Sequence, residues 1–341
     1  MKAAIMREYH RPLELVDQPR PEPVRPNDVL VRIGGAGVCA TDLHAMEGLM
    51  EFAGVSLPRV LGHENAGWVE EAGSGVSTVA KGDAVLVYPP YSCGLCVPCR
   101  RGNDMHCDRH GFTGLTRDGG FADYVLVAER SLIKLPPGVE PAVVAPYADA
   151  GITAYHAVRR IAHLALPGTT AVLIGAGGVG HIALQLMREL GASRLIVVDS
   201  DDRRRRLARE LGADEVLDGG QAARAAVAEL TDGHGAELVI DCVGTDDTHE
   251  AGLAMLARAG TYSLVGYGGT ISVASVALIA TEQTVMANLV GAWPDLWEIL
   301  QLHAAGRLQL RSETHPLSKI NDVLERLRAG EITGRAVLVP D

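Results

Sequence analysis

The sequence lacks long hydrophobic runs, an excess of basic charge and internal repeats. No uncharged window in its 341 residues approaches the length of a membrane span, and residues 1–8 contain no apolar core long enough for a signal peptide. We therefore expect a cytoplasmic protein with no membrane partner. With 31 Lys and Arg residues against 42 Asp and Glu residues, the net charge is -11, so nothing in the composition attracts nucleic acid.

Cysteine is scarce and unevenly placed. Four of the six cysteines fall in one short segment. In a reducing compartment, such a cluster favours a metal site over disulfide bonds. The composition, 47% hydrophobic and 21% charged, is that of a globular chain, and 341 residues are enough for two domains that each bury a core.

A strand, a glycine turn, a helix and a second strand follow one another between Thr169 and Asp199. The apolar run 170–174 leads into the sequence GAGGVG, and the next residues carry an apolar stripe at helical spacing that ends at Gly191. This order predicts a dinucleotide-binding unit whose turn contacts a pyrophosphate at the helix N-terminus. The predicted contacts are Gly175, Gly177, Gly178, Val179 and Gly180.

The residue that ends the second strand indicates which dinucleotide is bound. Asp199 lies 19 residues after Gly180, where a carboxylate would accept hydrogen bonds from the ribose hydroxyls. Because a carboxylate there repels a 2′-phosphate, Asp199 favours NAD over NADP. The four arginines 203–206 weaken this preference, since one guanidinium group could reach a phosphate. The alternative interpretation of these four arginines is a solvated helix face with one residue near the adenosine ribose.

The two halves of the chain carry different patterns. Residues up to about 135 alternate short β-patterned runs with turn signals, most clearly at 29–33, 67–71, 84–88 and 121–127. From Pro146 onward, apolar strands alternate with helices, which predicts a doubly wound parallel sheet. Its six predicted strands are 170–174, 195–198, 215–217, 238–241, 261–265 and 285–289. Helices near 296–305 and 320–329 precede a final strand, 336–339, that we expect to rejoin the first half.

Two groups of residues offer metal ligands. Four cysteines, Cys93, Cys96, Cys99 and Cys107, have the spacing CxxCxxCx₇C, so their thiolates can converge on one ion and close a tetrahedral zinc site. An iron–sulfur cluster is the alternative, but the final gap of seven does not fit the ferredoxin spacings. Cys39 and the pair His63-Glu64 also offer zinc ligands, although without a third partner they are unremarkable.

The motifs and their order along the chain resemble those of the zinc-dependent medium-chain alcohol dehydrogenases over essentially the full length of the chain. The resemblance rests on Cys39, the sequence GHENAG at 62–67, the cysteine lobe at about 90–110 and the glycine turn. It implies an α/β protein in which residues 1–147 and 290–341 form a GroES-like, mainly β catalytic domain. Residues 148–289 would form a Rossmann NAD-binding domain inserted between them.

The resemblance implies that Cys39 and His63 bind a catalytic zinc, so that each chain holds two zinc ions. Where the family commonly has a third cysteine ligand, this chain has Asp149, as in a subset of its secondary-alcohol dehydrogenases. A carboxylate oxygen is an acceptable zinc ligand and carries the formal charge of a thiolate. The alternative for Asp149 is an ordinary residue at a helix start. Glu64, which lies behind the zinc in relatives, is a possible further ligand.

Other roles also come from the resemblance. Thr41 would take the proton of the substrate, His44 would form the outer end of the proton relay, and Asp42 would orient His63. Without the resemblance, Thr41 and Asp42 are turn residues and His44 is a surface histidine. The expected cofactor contacts outside the glycine turn and Asp199 are Thr153, Arg204, Val265, Gly266, Val290 and Arg335.

These expectations describe a zinc- and NAD-dependent alcohol dehydrogenase or ketone reductase. A zinc-bound alkoxide of a secondary or aryl-alkyl alcohol would pass hydride to NAD. One alternative is a polyol or amino-alcohol dehydrogenase, but such relatives often lack or alter the four-cysteine lobe. Another is a non-catalytic NAD-binding protein without catalytic zinc. Family analogy also implies a homodimer or homotetramer that associates through the edge of the Rossmann sheet.

Overall fold

The computed structural model describes residues 1–341 and divides the chain into two compact units. Unit 1 comprises Met1–Ile152 and Ala292–Asp341, and unit 2 comprises Thr153–Gly291. Each junction lies a few residues beyond the boundary expected from the sequence. None of the helices combines the length and the apolar composition needed to cross a membrane.

The first part of unit 1 is mostly β structure, as predicted. Its strands are β1 (Lys2–Met6), β2 (Glu14–Asp17), β3 (Asp28–Val38), β4 (Arg59–Val60), β5 (Glu64–Ala72), β6 (Ala84–Val87), β7 (Pro90–Tyr91), β8 (Gly111–Phe112), β9 (Tyr124–Ala128) and β10 (Leu132–Lys134). Its helices are α1 (Ala40–Met46), α2 (Val97–Arg100) and α3 (Pro141–Val144). All three are too short for the hydrophobic periodicity that reveals a helix in a sequence.

Unit 2 is a parallel sheet with helices between its strands, which confirms the doubly wound prediction. In chain order it contains α4 (Ala150–Ile161), which begins in unit 1, then β11 (Thr170–Ile174), α5 (Gly180–Leu190), β12 (Arg194–Val198), α6 (Asp202–Glu210), β13 (Glu215–Leu217), α7 (Gln221–Leu230), β14 (Ala236–Asp241), α8 (Asp246–Met255), β15 (Leu256–Leu264), α9 (Ser275–Thr281) and β16 (Thr284–Ala287). The strand order is β13-β12-β11-β14-β15-β16. The winding direction therefore changes between β11 and β14, where such sheets bind their ligands.

The C-terminal segment completes unit 1. It contains α10 (Trp293–Ala304), β17 (Ser312–Pro316), α11 (Ile320–Arg328) and β18 (Arg335–Val339). Strand β18 pairs antiparallel with β3, with Val337 opposite Gly37, so the final strand does rejoin the first half. Strand β17 was not predicted, because the sequence SETHP of Ser312–Pro316 lacks the branched apolar residues typical of strands.

Strand β3 organises unit 1. The sheet order is β10-β6-β5-β3-β18-β17, and β9 also pairs with β3. Nearly every residue of the strand is buried, so both of its faces are covered. Gly37 is needed here, because a Cβ atom on it would lie 1.9 Å from Oε2 of Glu64 on β5. The absence of a side chain at Gly37 lets the residues of the candidate site approach the strand.

Candidate active site

Cys39, His63 and Asp149 come together in unit 1. One ligand atom from each lies within 4.8 Å of the other two. The Cys39 Sγ atom is 3.6 Å from Asp149 Oδ2, and His63 Nε2 is 3.4 Å from the same oxygen. Three residues that are distant in the sequence therefore present a sulfur, a nitrogen and an oxygen to one point, which is a donor set that zinc accepts.

Each of these residues sits where a regular element begins or ends. Cys39 follows β3 and precedes α1, and its backbone N–H donates to Asp42 Oδ2 at 2.9 Å. His63 immediately precedes β5, after Gly62, whose φ of +95° favours glycine. Asp149 lies directly before α4. Strand and helix ends thus fix the ligand backbones, whereas a long loop would leave them free to move.

The imidazole of His63 is buried between two carboxylates. Its Nδ1 atom is 3.2 Å from Asp42 Oδ1, on the opposite side of the ring from Asp149. Neither contact is aligned as a hydrogen bond, so both ring nitrogens and Asp42 Oδ1 are buried without a hydrogen-bond partner. Because unpaired buried polar atoms are costly, this arrangement fits a metal on Nε2 and a carboxylate that orients the ring at Nδ1.

The charges around His63 favour a cation at this position. Burial alone would lower the pKa of His63, but Asp42, Asp149 and Cys39 raise it well above its usual value. Burial would likewise raise the pKa of Asp149, but the close contact with His63 and the positive charge on its ring lower it. Both shifts stabilise positive charge among anionic groups. A divalent cation bound by the same atoms would supply that charge.

Glu64 lies next to this group but is not among its three candidate ligands. Its Oε1 atom accepts the backbone N–H of Ala150 at 3.0 Å and pairs with the guanidinium of Arg335. Its Oε2 atom is buried without a hydrogen-bond partner, and burial raises the pKa of the carboxyl despite Arg335. Glu64 therefore connects β5, the start of α4 and β18. The sequence did not reveal the pairing with Arg335, because 271 positions separate the two residues.

Thr41, Asp42 and His44 all lie on α1. Asp42 is fully buried against His63, whereas Thr41 and His44 are partly exposed. At a spacing of three residues, Thr41 and His44 share one face of the helix. The helix therefore presents a hydroxyl and an imidazole that face the same way, beside the ligand that precedes it.

Cys93, Cys96, Cys99 and Cys107 form a second group, with all four sulfur atoms within 4.8 Å of one another. The Cys96 sulfur is 3.3 Å from that of Cys99 and 3.8 Å from that of Cys107. Tetrahedral zinc with bonds of about 2.3 Å separates its sulfur ligands by about 3.8 Å. The group is therefore close to the size that a four-thiolate zinc site requires.

Backbone N–H groups point at these sulfurs. Cys93 Sγ accepts from the N–H groups of Leu95 and Cys96, each at 3.4 Å, which lowers the pKa of Cys93 to about 6. Cys107 Sγ accepts from the N–H of Arg109 at 3.3 Å. Such donors stabilise thiolates, which are the form that binds metal. Burial raises the pKa of Cys99 to about 12, which a bound cation would offset.

The glycine turn of unit 2 has the geometry that its sequence predicts. Gly175 has φ +85°, and a Cβ atom on Gly180 would lie 1.8 Å from the carbonyl oxygen of Gly175. By contrast, a Cβ atom on Gly177 would meet nothing within 4 Å. The first and last glycines are thus required by the turn itself, while open space lies at Gly177. Gly177, Gly178 and Val179 are partly exposed at the tip, within reach of a ligand.

Asp199 ties the end of β12 to this turn. Its Oδ2 atom accepts the N–H of Ala176 at 2.8 Å, and its Oδ1 atom accepts the N–H of Asp201 at 2.8 Å. Three of the four following arginines pair with nearby carboxylates, in the pairs Arg203–Asp201, Arg205–Asp218 and Arg206–Asp202. Arg204 is partly buried at the start of α6. The turn and the acidic strand end therefore form one connected structure.

Comparisons with known proteins identify the family. Residues 25–137 match the family described as alcohol dehydrogenase GroES-like domain, and residues 178–305 match zinc-binding dehydrogenase. A D-arabinose 1-dehydrogenase (NADP(+)) of Saccharolobus solfataricus is 36% identical over 346 residues, 99% of this chain and 97% of the relative. An NAD-dependent alcohol dehydrogenase of Sulfurisphaera tokodaii is 34% identical and covers 100% of both. The crystal structure of the alcohol dehydrogenase of Aeropyrum pernix matches with a TM-score of 0.97 and 42% identity over 100% of both chains.

The chain belongs to the zinc-type medium-chain alcohol dehydrogenases. As in that family, a GroES-like part and a Rossmann-like parallel sheet occur together, which confirms the predicted fold class. Family membership also makes the protein an oxidoreductase. The match to the zinc-binding dehydrogenase family agrees with the Cys₄ group and the Cys39, His63 and Asp149 group found in the structure.

The remaining residues expected to contact the cofactor of this dehydrogenase lie in both units. Thr153 is on α4, and Val265 and Gly266 follow β15 directly. Val290 follows β16 with φ +46°, an unusual conformation for a β-branched residue. Arg335 begins β18 in unit 1, where its guanidinium is buried against Glu64. Their contacts with a cofactor stay predictions.

Proposed function

We propose that this chain is a zinc-dependent alcohol dehydrogenase that interconverts secondary or aryl-alkyl alcohols and ketones with NAD. The convergence of Cys39 Sγ, His63 Nε2 and Asp149 Oδ2 on one point carries the proposal. Three protein ligands leave the fourth position of a tetrahedral ion open for substrate, whereas the four-cysteine group leaves none. We therefore assign catalytic zinc to the first group and structural zinc to the second, two ions per chain.

The residues around the ligands supply positioning and proton transfer. Zinc, when bound, would act as a Lewis acid that lowers the pKa of an alcohol hydroxyl. Asp42 holds the ring of His63 from the Nδ1 side, and Glu64 and Arg335 hold the start of α4 next to Asp149. The Thr41 hydroxyl would accept the proton lost by the alcohol while it releases its own proton, which His44 would carry to solvent. NAD, when held by the glycine turn and Asp199 of unit 2, would supply the hydride acceptor for the carbinol carbon.

We assign dinucleotide binding to unit 2 and catalysis to unit 1. The glycine turn with its open space at Gly177, and Asp199 at the end of β12, support this assignment. A carboxylate at that place supports NAD, and the Sulfurisphaera tokodaii relative is named as NAD-dependent. The Saccharolobus solfataricus relative is instead named with NADP(+). Turnover of this chain should therefore be measured with each of the two cofactors. We expect kcat/KM to be at least tenfold higher with NAD than with NADP.

A second candidate function is the oxidation of sugars or other polyols. It is favoured by the 36% identity to a D-arabinose 1-dehydrogenase over 99% of the chain. A panel of 2-alkanols, 1-phenylethanol, pentoses and amino alcohols, compared by kcat/KM with NAD, separates the two functions. Higher kcat/KM for the simple secondary alcohols supports the main proposal. Higher kcat/KM for the pentoses would contradict the main proposal and support sugar oxidation.

Metal analysis combined with variants tests the zinc assignment. The unaltered chain should contain two zinc ions, and His63→Ala should contain one, lose turnover and still bind NAD. At Asp149 we expect Asp149→Ala to lose the catalytic zinc and Asp149→Cys to retain it, because a thiolate restores both the charge and a ligand atom. One zinc ion in the unaltered chain, or ordinary turnover by His63→Ala, would identify a nucleotide-binding protein whose first group is not a catalytic metal site.

We also propose that the chain forms a homodimer or homotetramer. Strand β16 lies at the edge of the parallel sheet and has one free side. The adjoining helix α9 exposes 71% of Val276 and 76% of Ile279, an apolar surface that a second copy would cover. Light scattering coupled to size-exclusion chromatography measures the mass, and a monomer at micromolar concentration would contradict this assembly.

A further inference from the structure

Three polar side chains are buried together inside unit 2. They are Asp241 at the end of β14, His249 on α8 and Tyr262 on β15. Asp241 and Tyr262 are fully buried, and His249 is 3% exposed. Burying three polar groups is unfavourable unless they are hydrogen-bonded to one another, so the positions of these side chains depend on one another.

Their hydrogen bonds form a directed chain. The Tyr262 hydroxyl donates to Asp241 Oδ2 at 2.6 Å and lies 2.9 Å from His249 Nδ1. Because the single hydroxyl proton goes to Asp241, the Nδ1 atom of His249 is the donor in the second bond. Burial and the charge of Asp241 raise the pKa of Tyr262, which keeps that proton on the phenol. His249 therefore supports Tyr262, and Tyr262 supports Asp241, whose Oδ2 atom also lies 3.4 Å from His249 Nδ1.

The other atoms of Asp241 hold two backbone turns. Its Oδ1 atom accepts the N–H groups of Val243 at 2.8 Å and Gly244 at 3.0 Å. Its backbone carbonyl accepts the N–H groups of Val265 and Gly266, both at 2.9 Å. One residue thus fixes the turn after β14 and the turn after β15. The first pattern depends directly on the position that the Tyr262 hydroxyl gives to the carboxylate, and the second joins the turn after β15 to the same residue.

These two turns pack against each other and against the glycine turn. The N–H of Cys242 donates to the carbonyl of Ile174 at 2.9 Å, and a Cβ atom on Gly175 would lie 2.6 Å from Val243 Cγ2. A Cβ atom on Gly244 would lie 2.1 Å from the carbonyl carbon of Gly266. The three turns therefore have no free space between them, so a shift of one moves the others.

The strand order assigns the turns to different ends of a dinucleotide. Asp199, expected at the adenosine ribose, ends β12 on one side of β11, whereas β14 and β15 lie on the other side. A dinucleotide that crosses the sheet with its pyrophosphate at the glycine turn places its adenosine half over β12. Its nicotinamide half then lies over the turns after β14 and β15.

We infer that Tyr262 and His249 are positioning residues that hold the turns 242–245 and 265–267 in place for the nicotinamide half of the cofactor. The inference rests on the proposed NAD-dependent function. Neither side chain touches the ligand, and both act through Asp241. Removal of the Tyr262 hydroxyl should therefore loosen the nicotinamide side of the site and leave the adenosine side unchanged.

The Kd values of NAD and of 5′-AMP for Tyr262→Phe distinguish the two sides, because 5′-AMP occupies only the adenosine side. Loss of the buried hydrogen bond that positions the Asp241 carboxylate should raise the Kd of NAD about tenfold, which is about 1.4 kcal/mol of binding free energy. The Kd of 5′-AMP should stay within about twofold, and the zinc content should stay that of the unaltered chain. Tyr88→Phe is the matched control, since Tyr88 is also a buried tyrosine but lies in unit 1, and it should leave the Kd of NAD unchanged.

His249 provides a second and independent test. His249→Gln keeps a side-chain N–H donor for Tyr262, whereas His249→Leu removes it. We expect the Leu variant to raise the Kd of NAD several-fold and the Gln variant to restore most of the loss. If Tyr262→Phe does not fold, this pair decides the question.

Two results would overturn the inference. One is an unchanged Kd for NAD in Tyr262→Phe and His249→Leu, which would leave the network a purely structural feature. The other is an equal loss of NAD and 5′-AMP binding, which would mean that the whole nucleotide unit has loosened. Failure of the unaltered chain to bind either ligand would instead refute the proposed function, on which the inference depends.

Discussion

Arg335→Met should destabilise unit 1 strongly, because it leaves a carboxylate buried without its partner. The side chains of Arg335 and Glu64 are 5% and 0% exposed, and their ion pair is further held by the N–H of Ala150. Removing one member of a buried pair costs about 3–5 kcal/mol, whereas the whole folding free energy of a domain is about 5–15 kcal/mol. The variant should therefore unfold at a much lower urea concentration.

A double variant separates the cost of the buried charge from the cost of lost packing. The double variant Glu64→Gln/Arg335→Met removes both charges of the pair, and the Gln carbonyl can still accept the N–H of Ala150. The double variant should therefore recover at least half of the loss. Arg326→Met is the matched control, because Arg326 pairs with Glu313 at 2.9 Å with both side chains more than a third exposed. Exposed pairs contribute about 0–1 kcal/mol.

Urea unfolding followed by tryptophan fluorescence is the appropriate assay. All three tryptophans, Trp68, Trp293 and Trp297, lie in unit 1, so the signal reports on the unit that contains the pair. A loss below about 1 kcal/mol in Arg335→Met, or a double variant as unstable as the sum of the two single ones, would refute the buried-charge account.

Three further predictions address other parts of the molecule. Gly180→Ala should abolish NAD binding or prevent folding of unit 2, since its Cβ atom would lie 1.8 Å from the carbonyl oxygen of Gly175; calorimetric titration with NAD measures this. Cys96→Ser should release one zinc ion and lower the melting temperature, while the zinc held by Cys39 and His63 stays bound, as metal analysis would show. Asp201→Ala should lower stability at pH 7 by about 1 kcal/mol, because Asp201 caps α6 through the N–H groups of Arg203 and Arg204. Hydrogen bonding and charge from Arg203 lower the pKa of Asp201 in the folded state, so its contribution is present above the unfolded pKa of about 3.9 and decreases as the pH falls below it. Urea titrations of the unaltered chain and the variant at pH 7 and at about pH 3, below the unfolded pKa, compare the two conditions.

Much of unit 2 could be predicted because its signals are local. The strand, turn and helix around Gly175 and Gly180 follow one another in the sequence, and each glycine has a steric reason that the structure shows. The ends of the helices and strands were predicted less accurately. Strand β15 begins at Leu256, before the predicted Thr261, and its pairing with β14 shifts register near Leu238. That irregularity interrupts the alternation on which strand prediction depends.

The four-cysteine group could also be predicted from the sequence, because its residues are close together in the chain. The N–H groups of Leu95 and Cys96, which lie within the first two-residue gap or at its end, donate to the sulfur of Cys93. The Cys39, His63 and Asp149 group was different. Nothing in the spacing of these residues brings them together, and only the likeness to a family suggested the third one. Their proximity results from the pairing of β3 with β5 and from the start of α4.

The least predictable feature is the contribution of the C-terminus to the candidate site. Arg335 reaches Glu64 only because β18 pairs with β3 and β3 pairs with β5, so two long-range strand pairings must form first. The sequence pattern of β18 reveals an apolar strand but gives no reason for the arginine that begins it. The structure supplies that reason, because Glu64 Oε1 bonds both Arg335 and the N–H of Ala150, the residue after Asp149. Pairing of the last strand therefore supports the placement of Asp149, and a chain without β18 would lose the contact between Arg335 and Glu64.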